Sequence, residues 1–272
     1  CYCYILMIYN FDFRKSLGQN FLIDDSIVDN IANAIDYKEN NMVIEIGPGS
    51  GNLTKKLLKK ADFVLLYEID TRLKRILSKE LADFNNYDII WDDFLYRDVK
   101  EDLKKYNYEN IYIVANLPYY ITTPIVSKFV METIPANEIV IMIQKEVAER
   151  LSAPVGTKEY GQITVLLNYY FNIEKIIDVD RKAFYPTPNV DSAVIKMIRK
   201  DKLETLTSFE HFDKLVKDSF QFKRKTIKNN LINKYNLDIV SKVLEKYGYD
   251  LSMRSEKIPY YVFVEISNEL LK

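Results

Sequence analysis

Met42-Val43-Ile44-Glu45-Ile46-Gly47-Pro48-Gly49-Ser50-Gly51 is the stretch whose reading decides the fold. A short apolar run ends in a glycine-rich turn, and Leu53, Leu57 and Leu58 then repeat at helical spacing. Strand, glycine turn and helix in that order open a doubly wound α/β domain, where ligands sit beyond the carboxyl ends of the strands. Toward the C-terminus the pattern repeats. Strands are expected at Phe63 to Tyr67, Tyr87 to Trp91, Ile111 to Ala115 and Glu138 to Gln144. A helix at Thr71 to Ala82 turns Leu73, Ile76, Leu77 and Leu81 inward, and another runs from Lys145 to Leu151. This alternation implies a parallel sheet with right-handed crossovers. Toward the N-terminus, Asp24-Asp25-Ser26 cap a helix through about Ile35, with Ile27, Ile31, Ala34 and Ile35 on one face. Phe11 to Phe21 is a loop, either a polar leader or a flap whose amides reach a ligand.

The second half reads differently. Pro154 to Lys158 is a loop, and Ile163 to Tyr170 fits helix or strand equally. Ile173 to Val179 and Ala193 to Ile198 are β-rich, and the link at Phe184 to Pro188 is too short for a helical crossover, so they pair antiparallel. Arg199-Lys200-Asp201-Lys202 is a charged linker, and Phe209 to Lys272 carries only helical patterns. The expected division is an unassigned segment 1–10, an α/β domain 11–200 and a small all-α domain 201–272.

Composition bounds what the chain does. With 272 residues, 48% hydrophobic and 28% charged, it is an ordinary globular protein with room for one large and one small domain. A formal net charge of −1 excludes a global basic field, so any nucleic-acid surface is local. The two cysteines, Cys1 and Cys3, exclude a disulfide framework for the rest of the chain, and a single histidine, His211, leaves no metal site to expect. The apolar opening to Tyr9 is too short to span a bilayer and lacks a basic flank. The expected location is the cytoplasm, or an organelle matrix if the chain start is a processing boundary. The expected state is a monomer without membrane association.

The polar residues fall where such a sheet binds ligands. Gly47 to Gly51, Glu68, Asp93 and Asn116 each follow a different strand. A dinucleotide fingerprint would place a third glycine at position 52, which is Asn. Glu68 lies about 20 residues past Gly47, where a carboxylate accepts from ribose hydroxyls. A ligand without a pyrophosphate, S-adenosylmethionine, fits this turn better. Asp93 can accept from its adenine amine, with Phe94 beside the ring; the alternative is an Asp92-Asp93 helix cap. Asn116-Leu117-Pro118-Tyr119-Tyr120 offers an amide and two rings, which suits a flat base with an exocyclic amine. The alternative there is a strand-end turn with a core tyrosine.

Several motifs together resemble the ribosomal RNA adenine dimethyltransferase family, closest to its bacterial KsgA-type small-subunit branch. They are Gln19-Asn20-Phe21-Leu22, Glu45 to Gly51, Asn116 to Tyr119, Gln144 to Arg150, Ala183 to Val194 and Lys223-Arg224-Lys225-Thr226, in order from about Phe11 to the C-terminus. The resemblance implies a Rossmann-like methyltransferase domain whose cofactor, S-adenosylmethionine, meets Gln19, Asn20, Leu22, Gly47, Gly49, Glu68, Ile69, Asp93, Phe94 and Asn116. It implies a catalytic loop of Asn116, Leu117, Pro118 and Tyr119, with Phe184 as a second ring on the target base. The implied product is N6,N6-dimethyladenosine at two adjacent adenosines in the 3′-terminal hairpin loop of 16S rRNA, formed during small-subunit biogenesis.

Chemistry agrees with that expectation. An adenine amine is a weak nucleophile, and acceptors at the Asn116 side chain and the Leu117 carbonyl would favour its pyramidal transition state. Because the methylated nitrogen becomes acidic, no histidine base is required. Phosphate contacts are expected at Lys223, Arg224, Lys225 and Lys228, with Arg14 and Lys15 near the amino-terminal loop; a solvated helix face is the plainer reading of any one of them. Two rivals stand: a large-subunit (23S) rRNA adenine dimethyltransferase conferring macrolide resistance, and a non-catalytic assembly or transcription factor on the same fold. Leu117 and Lys145-Glu146-Val147 favour the small-subunit branch. A DNA adenine or protein glutamine methyltransferase would usually carry Pro at 117.

Overall fold

The computed structural model describes residues 20–272, which divide into two compact units: the described part of Cys1–Ala148 with Glu174–Arg199, and Glu149–Ile173 with Lys200–Lys272. Gln19, Arg14, Lys15 and the segment 1–10 lie outside the described residues.

The first unit is built on seven strands. They are β2 (Asn41–Ile46), β3 (Phe63–Tyr67), β4 (Tyr87–Ile90), β5 (Asn110–Asn116), β6 (Glu138–Gln144), β7 (Phe171–Val179, which begins in the second unit) and β9 (Ser192–Arg199). Their order is β4-β3-β2-β5-β6-β9-β7. The pairs from β4 through β6 are parallel, and β9 runs antiparallel to β6, so the sheet is mostly parallel with an antiparallel end. The chain winds outward from β2 to β4, returns to lay β5 on the other side of β2, and continues to β6. The reversal between β2 and β5 opens a crevice at their carboxyl ends. β2 is buried at every position, as a strand covered on both faces must be.

Helices cover it because their sequences leave one apolar stripe each. In α1 (Asp25–Asn33) the Asp24 carboxylate accepts from the N–H groups of Ser26 and Ile27, capping the first turn. Its inner stripe is Val28, Ile31, Ala32 and Ile35, one step round from the expected Ile27, Ile31, Ala34 and Ile35: Ile27 and Ala34 lie at the margin of the contact. These side chains share one core with Leu57 of α2 (Asn52–Leu58), Leu77 of α3 (Lys74–Glu80) and the sheet residues Val43, Val64, Leu66, Val114 and Val140. Each fully buried Leu or Val contributes about 1.5–3 kcal/mol. The expected helix Thr71 to Ala82 starts as a 3₁₀ turn, Thr71–Leu73, because the Asp70 side chain accepts from Arg72 N–H and tightens it. Between β4 and β5 lies α4 (Val99–Leu103), and α5 (Thr122–Met131) follows β5.

A two-stranded pairing was not foreseen: β1 (Phe21–Leu22) runs antiparallel to β8 (Phe184–Tyr185), with Leu22 opposite Phe184. Two-residue strands carry no periodicity in sequence.

The second unit is helical. α6 (Lys145–Leu151) leads into it from the first; the ambiguous run proves to be α7 (Gln162–Tyr170), followed by α8 (Phe209–Ser219), α9 (Ile227–Leu231), α10 (Leu237–Lys246) and α11 (Tyr260–Leu270). Its core is aromatic, with Tyr169 against Phe212 at 5.6 Å and Phe220 against Phe263 at 6.0 Å between ring centroids. The boundary expected at residue 200 is therefore incomplete, because Glu149–Ile173 packs with the helices. Adjacency in sequence to the α/β strands hid this. Among the described residues no helix is long and apolar enough to cross a membrane, and no cluster of three or more His, Cys, Asp or Glu is placed to hold a metal ion.

Candidate active site

The crevice between β2 and β5 is a real cleft, walled by the glycine turn, the ends of β3 and β5, the Asp93 loop, β1 and β8. The glycine turn forms because three of its residues take positive φ: Gly47 at 71°, Gly49 at 57° and Gly51 at 84°. At Gly49 the requirement is double, since a Cβ there would stand 3.0 Å from Phe21 Cε1. Asn52, where a dinucleotide site would want glycine, is buried and donates from Nδ2 to the Leu22 carbonyl at 3.3 Å. That bond ties β1 to the glycine turn.

Carboxylates set the electrostatics. Glu68 is 5% exposed; its Oε1 accepts from Asp70 N–H at 2.8 Å and its Oε2 from Gly49 N–H at 3.2 Å. Burial pushes its carboxyl up to about 7, with those N–H groups pulling the other way. Glu45 is completely enclosed, its Oε2 has no hydrogen-bond partner among the described residues, and burial, with nearby Glu68 adding, lifts it to about 8. Asp70 holds Arg72 through Nε at 2.8 Å. The cleft lining carries the carboxyl groups of Glu45, Glu68, Asp92 and Asp93 and, among the described residues, no basic side chain, so it offers a pyrophosphate no cationic partner.

Asp93 both caps a turn and lines the cleft. Its Oδ1 accepts from Leu95 N–H at 2.9 Å, capping the 3₁₀ turn Phe94–Tyr96, while the residue still lines the cleft. Phe94 is 3% exposed and sits edge-on to Tyr67 at 5.1 Å, so it is a cleft wall anchored in the core. Lys128, itself buried, donates to the carbonyls of Leu95 (3.3 Å) and Arg97 (2.8 Å) and holds the loop on α5. Ile69 stands on the rim, 51% exposed.

Asn116 closes β5 as its last residue, half-buried, rather than following it. Leu117 N–H donates to the Met142 carbonyl at 3.1 Å, and the Leu117 side chain is buried, which fixes the turn at Pro118. Tyr119 opens a 3₁₀ turn, Tyr119–Ile121, and its hydroxyl meets Ser192 Oγ at 2.8 Å. Tyr120 points outward, 55% exposed, while still lining the cleft. Phe184 lines the cleft from β8 but is 2% exposed. Asn20, Leu22, Gly47 and Gly49 line it too, so the structure gathers every described candidate of the α/β domain into one place.

A family model for ribosomal RNA adenine dimethylase matches residues 10–272. The chain belongs to the ribosomal RNA adenine dimethylase family. A ribosomal RNA small subunit methyltransferase A from Staphylococcus aureus (strain JH9) is 42% identical over 272 residues, covering 97% of this chain and 92% of that protein. The crystal structure of a dimethyladenosine transferase from Plasmodium falciparum aligns with a TM-score of 0.77 at 28% identity, over 90% of this chain and 95% of that one. The crystal structure of the 23S rRNA methyltransferase ErmE aligns with a TM-score of 0.73 at 27% identity, over 93% of this chain and all of that one (100%).

The described basic candidates, Lys223, Arg224, Lys225 and Lys228, lie in the helical unit, all exposed. Lys223 donates to the Lys158 carbonyl at 3.1 Å, Lys225 stands 4.5 Å from the Phe222 ring centroid, Arg224 lies between them, and Lys228 is on α9. Two residues of the cleft, Glu45 and Asn52, and Ser192 beside Tyr119 were not among the expected site residues. Glu45 reads as a strand residue among apolar neighbours, Asn52 as a missing glycine, and Ser192 stands just before the expected strand Ala193 to Ile198. The charge inside an otherwise apolar run was the available signal for Glu45.

Proposed function

We propose that the protein transfers methyl groups from S-adenosylmethionine to N6 of two adjacent adenosines in the 3′-terminal hairpin loop of small-subunit (16S) rRNA during subunit biogenesis in the cytoplasm. The observation that carries the reading is the placement of Asn116 to Tyr119 at the end of β5, on the same cleft as Glu45, Glu68 and the Gly47–Gly51 turn. Identity of 42% with a small-subunit enzyme against 27% with a 23S enzyme favours the small subunit over the large.

The cleft fits the cofactor. The unpartnered Oε2 of buried Glu45 matches an ammonium, the second lone pairs of the Glu68 oxygens match ribose hydroxyls, and Asp93 retains acceptor capacity for an adenine amine. When bound, S-adenosylmethionine supplies an electrophilic methyl on a sulfonium. The chain supplies the rest. The Asn116 amide oxygen and the Leu117 carbonyl accept the two hydrogens of the adenine amine and draw its lone pair out of the ring. Tyr119, the half-buried ring of the loop, stacks on the base that has left its helix, which returns about 1–3 kcal/mol of the unstacking cost. Phe184 contributes a fixed wall rather than a free face, given its 2% exposure. Lys223, Arg224, Lys225 and Lys228 contact rRNA phosphates.

The test offers labelled S-adenosylmethionine with unmethylated small subunits, large subunits and naked RNA in parallel. Dimethyladenosine in the small subunit is expected; label confined to the large subunit overturns the assignment, and none anywhere leaves a binding factor.

A further inference from the structure

Ser192 is fully buried at the head of β9, next to Ala193, Val194 and Ile195, where a hydroxyl has no packing advantage over a methyl. A buried hydroxyl is costly unless bonded, and its partner is the Tyr119 hydroxyl at 2.8 Å. The same point of the chain also bonds the turn that leads into the other ring. Asp191, one residue earlier, accepts at Oδ1 from Arg181 N–H at 3.1 Å. Arg181 opens the 3₁₀ turn Arg181–Ala183, and Phe184 follows it directly. The Asp191–Ser192 pair is fixed in turn: Ser192 is in register with Gln144 at the end of β6, and the Asp191 carbonyl accepts from Lys145 N–H at 3.0 Å.

From this arrangement we infer that Asp191 and Ser192 are positioning residues that index both rings of the base site, Tyr119 and Phe184, to one rigid point of the sheet. The spacing between the rings, and so the thickness of the flat group they admit, is set there. Tyr119 cannot swing away on its 3₁₀ turn while its hydroxyl is held, so the site meets the unstacked adenine with the ring in place. This rests on the proposed base-flipping chemistry and adds to it two residues that touch neither substrate nor cofactor.

The experiment is a double-variant cycle with Ser192→Ala and Tyr119→Phe, each removing one hydroxyl of the same bond. Three quantities are read: S-adenosylhomocysteine affinity, methyl transfer to small subunits, and fluorescence of small subunits reconstituted with 8-azaadenosine at the target position, an adenosine analogue that keeps the N6 amine and is quenched by stacking. Either single variant is expected to weaken quenching and kcat/KM about five-fold, the equivalent of ~1 kcal/mol for a neutral hydrogen bond, with S-adenosylhomocysteine affinity unchanged. The double variant is expected to be no worse than the poorer single one. Effects that multiply in the double variant overturn the inference. So does full quenching by Ser192→Ala, or absence of quenching by the wild type. A wild type that quenches but transfers no methyl removes the proposed function and leaves the anchor standing.

Discussion

Glu45→Gln is expected to stabilise the cofactor-free protein at pH 8 and to leave it nearly unchanged at pH 5. The Glu45 carboxyl rises from an ordinary 4.5 to about 8 because it is enclosed and faces Glu68. A group with a raised folded pKa binds its proton more tightly in the folded state than in the unfolded one. Its proton therefore supports the fold at low pH, and stability falls as pH climbs from about 4.5 toward about 8. At 1.36 kcal/mol per pH unit the loss by pH 8 is about 4 kcal/mol, a large part of a domain's margin of 5–15 kcal/mol. A glutamine keeps the shape and never ionises, so the wild type and variant diverge across that window. With about 2–4 °C per kcal/mol for a chain of this size, the melting difference at pH 8 is on the order of 10 °C. Glu68, lifted to about 7, leaves the variant with a smaller slope of the same sign. The assay is thermal melting of both proteins at intervals from pH 5 to pH 8. A difference that stays flat across that range refutes the reasoning, because it would mean that Glu45 is not protonated in the folded state.

Ligand binding gives a second reading of the same carboxyls: an ammonium beside Glu45 favours the ionised form, so S-adenosylhomocysteine binding at pH 7 releases protons, seen as a dependence of calorimetric heat on buffer ionisation enthalpy. Equal heats in two buffers would count against it. Asn116→Ala is expected to abolish methyl transfer while S-adenosylhomocysteine affinity falls far less, and full activity would remove Asn116 from the mechanism. Replacing Lys223, Arg224 and Lys225 together with neutral residues should flatten the log-affinity against log-salt slope for small subunits by roughly 0.7–0.9 per lost phosphate contact, and an unchanged slope assigns them to a solvated face. Gly49→Ala places a Cβ 3.0 Å from Phe21 at a φ of 57°, so cofactor affinity should drop at least ten-fold, measured by calorimetry.

The sheet was legible because parallel strands buried on both faces read as apolar runs, and β3 and β6 match their expected ranges to the residue. The polar residues after those runs were legible for the same reason, since a sheet edge is where buried periodicity stops. What escaped was long-range and short in sequence. The β1–β8 pair comprises two residues per strand, brought together across a separation of more than 160 positions by a backbone register with no pattern of its own. The inner stripe of α1 was read one step out because Val28 and Ile27 are equally apolar and only the packing partner decides between them. The helix α7 was undecidable for a related reason: its residues 162–170 are apolar on most sides and fit either period.

The distribution of charge then explains how a chain with net charge −1 addresses a polyanion. The cleft that holds the chemistry carries Glu45, Glu68, Asp92 and Asp93, a set that suits a cationic methyl donor and would repel a phosphate backbone. Rising pKa values at Glu45 and Glu68 moderate that repulsion in the free protein, because both carboxyls are substantially protonated near neutral pH. On the proposed reading a bound donor, with one net positive charge, offsets part of the negative charge left when those protons depart. On the same proposed reading, phosphate attraction falls to the exposed Lys223, Arg224, Lys225 and Lys228 of the helical unit. On this account raising ionic strength weakens subunit binding without weakening cofactor binding to a similar degree, since the buried Glu45 and Glu68 are screened far less than exposed lysines. Parallel salt dependence of the two affinities would show that the same charges serve both, and the division of labour between the cleft and the helical unit would fall.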